Sequence, residues 1–143
     1  MTATTPHVPP TVATFVQLLP PSRHGARLAR QAAAARLRSW PMPSGVADRA
    51  EQVVAELAAN AALHGRVRGR SFRIALALDS AAGMLRIEVS DARGGDLPEP
   101  RSVPAAEDES GRGLLLVAAL AERWGTQRYP PSGKTVWAEL RTC

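Results

Sequence analysis

The stretch GRGLLLVAAL, residues 111–120, places two glycines directly before an apolar run. The apolar run predicts a buried helix, and the glycines predict a tight turn at its start. The first turn of a helix carries unpaired N–H groups and the positive end of the helix dipole, so this segment has the features of a phosphate-binding helix start. A glycine turn before a core helix is also common for structural reasons alone, and the stretch by itself leaves both interpretations open.

The composition indicates an ordinary globular chain with a single domain. Its 143 residues are 45% hydrophobic and 22% charged, and a chain of this length can bury its own core. The longest apolar run, residues 114–121, is far shorter than a membrane span, and the first residues lack the pattern of a secretion signal. The single cysteine, Cys143, excludes an internal disulfide framework and a cysteine-based zinc site. We therefore expect a cytoplasmic protein that does not associate with membranes.

The basic charge of the chain raises the question of nucleic-acid binding. A net charge of +5 and a pI near 10.9 would allow contacts to phosphates. However, the arginines are scattered, no run of five like charges occurs, and the aromatic residues are only three Trp, two Phe and one Tyr. Direct nucleic-acid binding is therefore the least favoured of the functions considered.

The pattern of apolar and turn residues predicts an α+β fold. We expect a two-layer α/β sandwich, in which a mixed, largely antiparallel sheet carries about three helices on one face. Residues 1–11 are predicted to be a flexible tail, residues 94–110 an irregular loop, and Ser44 the N-cap of the second helix. The predicted elements are a strand at 12–18, helices at 22–39 and 46–64, strands at 72–78 and 85–90, a helix at 113–123, and strands at 126–129 and 135–140.

Glu56 and Asn60 are candidate functional residues on the second predicted helix. Asn60 lies at the margin of the apolar stripe, with Glu56 one step further round, and their spacing of four makes them neighbours on one helix face. A carboxylate and an amide oxygen could hold Mg²⁺, and the carboxylate could also accept a proton. A solvated glutamate and an incidental asparagine are the alternative. The apolar stripe consists of Val46, Ala50, Val53, Val54, Leu57 and Ala61.

Asp91 and Lys134 are the next two candidates. Asp91 follows Leu85, Ile87 and Val89 at a period of two, so its carboxylate faces the core and needs hydrogen-bond donors. The exocyclic amine of adenine is one suitable donor, and a nearby backbone or turn group is the other. Lys134, the only lysine in the chain, could reach a phosphate from the start of a strand, or it could be an exposed lysine at a strand end.

In chain order, these segments resemble the motifs of the GHKL ATPases, the group that contains gyrase, Hsp90, MutL and histidine kinases. Residues 56–65, ELAANAALHG, resemble the N box. Residues 88–95, EVSDARGG, resemble the first glycine box, and residues 111–117, GRGLLLV, resemble the second. Residues 133–140, GKTVWAEL, resemble the closing strand of small actinobacterial members that are similar to anti-sigma factor serine kinases. Together the segments cover about residues 12–140.

The resemblance implies a Bergerat fold that binds ATP and Mg²⁺. Residues 12–143 would form one ATP-binding domain, and the loop at about 94–110 would be its lid. Glu56 would act as a general base or orient the acceptor, Asn60 would coordinate the metal, and Asp91 would bind the adenine amine. The other residues that the resemblance assigns to the nucleotide are Gly95, Gly111, Arg112, Gly113, Leu114, Lys134 and Thr135.

Two features of the chain limit the functions that the resemblance implies. Arg93 stands near the expected adenine position, where the family usually has a small residue, and there is no helical hairpin with a phosphoacceptor histidine. Phosphate would therefore pass to another protein. The first hypothesis is a serine/threonine kinase that phosphorylates or sequesters a sigma factor, an anti-sigma antagonist or another transcription regulator. A catalytically silent nucleotide-binding module is the second hypothesis, and a homodimer is expected from the resemblance in either case.

Overall fold

The computed structural model describes residues 12–94 and 109–142, and only the backbone of residues 109–112. The predicted tail and nearly all of the predicted lid lie outside these ranges. The order of strands and helices is as predicted. The elements are β1 (Val12–Leu19), α1 (Arg23–Ser39), α2 (Ser44–Leu63), β2 (Phe72–Asp79), β3 (Met84–Asp91), α3 (Glu109–Leu120), β4 (Arg123–Tyr129) and β5 (Gly133–Arg141).

The five described strands form one sheet in the order β1-β2-β3-β5-β4. All four pairings are antiparallel, so the α+β class is confirmed and the described sheet is antiparallel throughout rather than mixed. For two of these pairings, β2–β3 and β4–β5, the strands are joined by short turns, which permit only antiparallel pairing. This order places β3 and β5 side by side in the sheet, and it brings the end of β3 next to the start of β5.

The helices pack on one face of the sheet, with α2 against β2, β3 and β5 and with α1 and α3 on either side of α2. The predicted apolar stripe of α2 is buried. The predicted inward-facing residues of β3 are buried as well, and β2 alternates in the same way, with Phe72, Ile74, Leu76 and Leu78 buried. Among the described helices, none combines the length and the hydropathy that are needed to cross a bilayer.

The start of α2 differs from its prediction. The helix begins at Ser44, and Pro43 rather than Ser44 is its N-cap. The Pro43 carbonyl accepts hydrogen bonds from the backbone N–H groups of Val46, at 3.0 Å, and Ala47, at 3.2 Å. A proline fits here because its fixed φ, −60° in this structure, suits the entry to a helix.

The start of α3 also differs, and this difference bears on the predicted phosphate site. The helix begins at Glu109 rather than at Gly113, so the two glycines lie inside its first turns and not in a turn before it. A glycine costs a helix only about 1 kcal/mol, and an acidic residue is favourable at the N-terminal end. The N–H groups without a partner within the helix therefore belong to residues 109–112.

Candidate functional site

Glu56, Asn60 and Gly113 meet where α2 packs against α3. Glu56 and Asn60 are both half-buried. A Cβ atom added to Gly113 would lie 2.9 Å from Glu56 Oε2, 3.5 Å from Asn60 Nδ2 and 3.6 Å from Asn60 Oδ1. Because Gly113 has no side chain, α3 can approach both polar groups closely. The structure thus brings together residues that the sequence places in two separate motifs.

The oxygen atoms of this cluster fit a magnesium ion that is shared with a phosphorylated ligand. Carboxylate and amide oxygens are ligands that Mg²⁺ accepts, and Mg²⁺ usually takes only one or two of them from the protein. In the described ranges, no group of three or more His, Cys, Asp or Glu residues could hold a metal ion. Asn60, with Glu56 beside it, would therefore hold the ion together with phosphate oxygens and water. Bound magnesium would neutralise phosphate charge.

Gly113→Ala is expected to separate stability from any activity that depends on Glu56. Alanine favours a helix over glycine by up to about 1 kcal/mol, and the flexible Glu56 side chain can move aside, so the free energy of unfolding should rise or stay the same. If Glu56 takes part in phosphoryl transfer, the displacement of its carboxylate should lower that transfer. Gly45→Ala is the matched control, because an added Cβ there meets nothing within 4 Å. Urea unfolding and a transfer assay on both variants test this, and unchanged transfer in Gly113→Ala would contradict it.

A second cluster surrounds Asp91 at the end of β3. Asp91 is 6% exposed, and the register of the sheet pairs it with Lys134 of β5. Lys134 Nζ lies 3.1 Å from Asp91 Oδ1 and 3.0 Å from Oδ2. The ammonium also donates to the Arg93 carbonyl at 2.8 Å, and the Arg93 backbone N–H donates to Asp91 Oδ1 at 2.9 Å. Lys134 is therefore not an exposed lysine at a strand end, and in this structure its ammonium contacts a carboxylate.

The electrostatics of Asp91 show two opposing effects. Burial raises the pKa of the Asp91 carboxyl above 3.8, and the nearby Lys134 ammonium and the Arg93 N–H lower it in part. Burial outweighs the donors because a desolvated carboxylate loses more hydration than these contacts replace. The carboxylate therefore depends on its hydrogen-bond donors, and the amine of a ligand would have to replace one of those that it has in this structure.

Gly65 lies directly against Asp91, a contact that the sequence pattern did not predict. Its N–H donates to the Asn60 carbonyl at 3.0 Å, which ends α2 as predicted. A Cβ atom on Gly65 would collide with the Asp91 carboxylate, where even the more distant oxygen, Oδ1, would be only 2.9 Å away. Gly65 closes the predicted N box, but only the packing of α2 on β3 shows why a glycine is needed there.

Arg93, the residue that departs from the family pattern, is also tied to the end of α2. Its guanidinium is exposed, and Nη1 donates to the His64 carbonyl at 3.4 Å. Its main chain supports Asp91 and Lys134 as described above. In this structure the arginine therefore links the segment after β3 to the C-terminal end of α2.

Of the other residues predicted to bind the nucleotide, Thr135 and Leu114 have side chains that contact other parts of the protein. Thr135 is buried on the opposite face of the sheet, with Oγ1 2.6 Å from Ser90 Oγ. Leu114 is 8% exposed and belongs to the hydrophobic core. Gly111 and Arg112 lie in the first turn of α3, and Gly95 lies outside the described residues.

A cleft of about 640 Å³ opens beside Glu56. Arg30 of α1, Asp48 and Glu51 of α2, and Leu116 of α3 are among the residues that line it. Asn60 and Asp91 do not line this cleft, so it reaches Glu56 from the side of α1. A polar side chain of another protein could approach the Glu56 carboxylate along this route.

The model of the histidine kinase-like ATPase domain matches residues 19–140. The chain belongs to this family. The matched range includes Glu56, Asn60, Asp91 and Gly113, and the GHKL resemblance of the sequence is thereby confirmed. No curated protein sequence matches the chain.

Among solved structures, the histidine kinase-like chain is similar to the crystal structure of the RsbU and RsbW domains of Rv1364c from Mycobacterium tuberculosis. The TM-score is 0.68 at 19% sequence identity, and the alignment covers 90% of this chain and 32% of that chain. This likeness shows a shared fold. The chain spans about a third of the length of that structure.

Proposed function

We propose that the chain binds ATP with Mg²⁺ and acts as a serine/threonine kinase of the anti-sigma factor type on a protein partner. The observation that carries this proposal is the placement of two polar clusters along α2, with Glu56 and Asn60 against α3 and Gly65 against Asp91. At about 1.5 Å per residue, the nine steps from Glu56 to Gly65 span roughly 14 Å, which suits a nucleotide with its base at one end and its phosphates at the other.

At the base end, Asp91 would accept a hydrogen bond from the exocyclic amine of adenine. Its burial makes this bond strong, and it also makes an unpaired carboxylate costly. Guanine carries a carbonyl oxygen at the corresponding position, which a carboxylate would repel. The proposal therefore includes a preference for adenine over guanine nucleotides.

At the phosphate end, Glu56 would take the proton from a serine or threonine hydroxyl of the partner. The cleft beside Glu56 offers a route for that hydroxyl, and Asn60 would hold the metal. The N–H groups of the first turn of α3, which have no partner within the helix, and the positive end of its dipole would attract phosphate oxygens. The contribution of the chain would then be positioning, charge neutralisation and one proton transfer.

Thermal shift and calorimetry with ATP, ADP and GTP test the nucleotide site. A ligand that binds only the folded form raises its melting temperature, so ATP and ADP should stabilise the wild type and GTP should not. Asp91→Asn should lose this stabilisation with both adenine nucleotides. Asn60→Ala should lose only the part that depends on Mg²⁺. Folded wild-type protein that releases no heat with any adenine nucleotide and magnesium would contradict the proposal.

A catalytically silent binding module is the second candidate, and the ion pair between Asp91 and Lys134 favours it. In this arrangement Asp91, the residue that is predicted to bind adenine, already has a cationic partner. Transfer of labelled phosphate from ATP to a regulator encoded nearby would support the kinase. Loss of the cellular phenotype in Glu56→Ala with unchanged partner affinity would count against the silent module.

The surface charges give no support to nucleic-acid binding. Six described arginines form ion pairs with carboxylates, as Arg30 and Arg38 do with Glu51 and as Arg86 and Arg123 do with Glu139. These pairs offset the positive charge that a phosphate backbone would need. The identity of the regulated partner, the pairing of two copies and a cytoplasmic location remain predictions.

A further inference from the structure

The Lys134 ammonium donates its hydrogen bonds to groups of the predicted adenine site. It contacts both oxygens of Asp91 and also the carbonyl of Arg93, at 2.8–3.1 Å. An ammonium group has three donors, and its hydrogen bonds to Asp91 Oδ1 and to the Arg93 carbonyl use two of them, while Asp91 Oδ2 is an ion-pair contact at 3.0 Å. The side chain of Lys134 is only 16% exposed although it lies in the second position of β5. The ion pair thus joins the end of β3 to the start of the neighbouring strand β5, and it is largely shielded from solvent.

The carboxylate of Asp91 has little acceptor capacity left in this state. Each carboxylate oxygen has two lone pairs, and Oδ1 already accepts from Lys134 and from the Arg93 N–H. Oδ2 lies 3.0 Å from the Lys134 Nζ in the ion pair, and it faces Gly65, which leaves no room there for even a methyl group. An amine from a ligand must therefore compete with the ammonium for the same oxygens.

We propose that Lys134 is a gating residue that occupies the place of the adenine amine on Asp91 when no nucleotide is bound. This inference rests on the proposed nucleotide site. Binding would exchange one donor for another: the ammonium leaves the carboxylate, and the exocyclic amine of the purine takes its place. The affinity for nucleotide would then depend on how readily Lys134 withdraws, because a competent state that is only partly populated weakens the apparent affinity in proportion.

The position of Lys134 makes such an exchange feasible. The residue follows the turn that precedes β5, and its flexible four-carbon stem lets the ammonium move while the strand stays in place. The released ammonium would regain its hydration, whereas Asp91 would keep the Arg93 N–H as a donor. The exchange therefore leaves neither charge buried without a partner.

Lys134→Met tests the gate because it keeps the length of the stem and removes the competing donor. Calorimetric titration with MgADP should show an affinity at least about tenfold higher than that of the wild type. Arg141→Met is the matched control, because it removes one positive charge from the far end of β5, where Arg141 forms a surface ion pair with Glu122. Its affinity should equal that of the wild type.

A second measurement uses the wild-type protein and does not depend on how the variant folds. Because Lys134 is the only lysine, lysine-specific isotope labelling gives a single side-chain NMR signal. That signal should shift when MgADP saturates the protein, since the ammonium changes its partners.

The outcomes separate the gate from the nucleotide site. Tighter binding by Lys134→Met together with a shifted lysine signal in the wild type supports the gate. The gate is overturned if the wild type binds MgADP but the folded variant binds it equally or more weakly. It is also overturned if the lysine signal of the wild type does not change at saturation. In both cases the proposed nucleotide site is still supported by the binding of the wild type. Absence of binding by both proteins overturns the proposed function and the gate with it.

Discussion

Glu56→Gln is expected to lower phosphoryl transfer by about 10²–10⁴-fold, the usual contribution of a general base. Glutamine has nearly the same shape as glutamate, so the contact with Gly113 should persist, but an amide cannot accept the proton of the attacking hydroxyl. The affinity for MgADP should stay within about threefold, since the base end of the site lies at the C-terminal end of α2, roughly 14 Å along the helix from Glu56. Single-turnover transfer of labelled phosphate to a regulator encoded nearby measures the loss.

The matched control for this variant is Glu51→Gln. Glu51 lines the same cleft as Glu56, but it is held by Arg30 and Arg38 on the side of α1. Loss of its surface ion pairs should change stability little, so Glu51→Gln should stay folded. Because Glu51 is not proposed as the base, transfer should stay close to the wild-type rate. If Glu56→Gln transfers phosphate as fast as the wild type with nucleotide bound, Glu56 is not the base.

Gly65→Ala is expected to damage both the fold and the nucleotide site. The added Cβ would collide with the buried Asp91 carboxylate, whose contacts with Lys134 and the Arg93 N–H oppose its displacement. Gly65 does not have a positive φ, so the strain would come from the collision and not from the backbone. Overpacking of this kind costs about 1–3 kcal/mol of unfolding free energy. The affinity for MgADP should fall by at least about tenfold.

A double-mutant cycle identifies the cause of this loss. In an Asp91→Ala background the carboxylate is gone, and Gly65→Ala should then cost much less unfolding free energy, because residues in contact are energetically coupled. Gly45→Ala serves again as the control for a glycine with open space around it. Equal costs of Gly65→Ala in both backgrounds would show that the collision with Asp91 is not the cause. Urea unfolding of the four proteins provides the comparison.

Much of the fold was predictable from local patterns. The period of two in β2 and β3 and the helical stripe of α2 identify the buried faces, and both are confirmed. The same periodicities place Asp91 on the core face and Asn60 at the margin of a buried stripe, and the structure agrees. The order of the motifs indicated the family that the comparison with family models shows.

The sequence by itself thus determined which faces are buried and which polar residues lie at their margins, because periodicity acts over a few neighbouring residues. Only the tertiary structure decided what those polar residues contact. The pairing of Lys134 with Asp91 depends on the register of β3 and β5, because the two residues are 43 positions apart in the chain. The contact between Gly65 and Asp91 depends on how α2 packs on β3. The start of α3 at Glu109 likewise reflects packing, since burial of Leu114 and Val117 against the core outweighs the low helix propensity of two glycines.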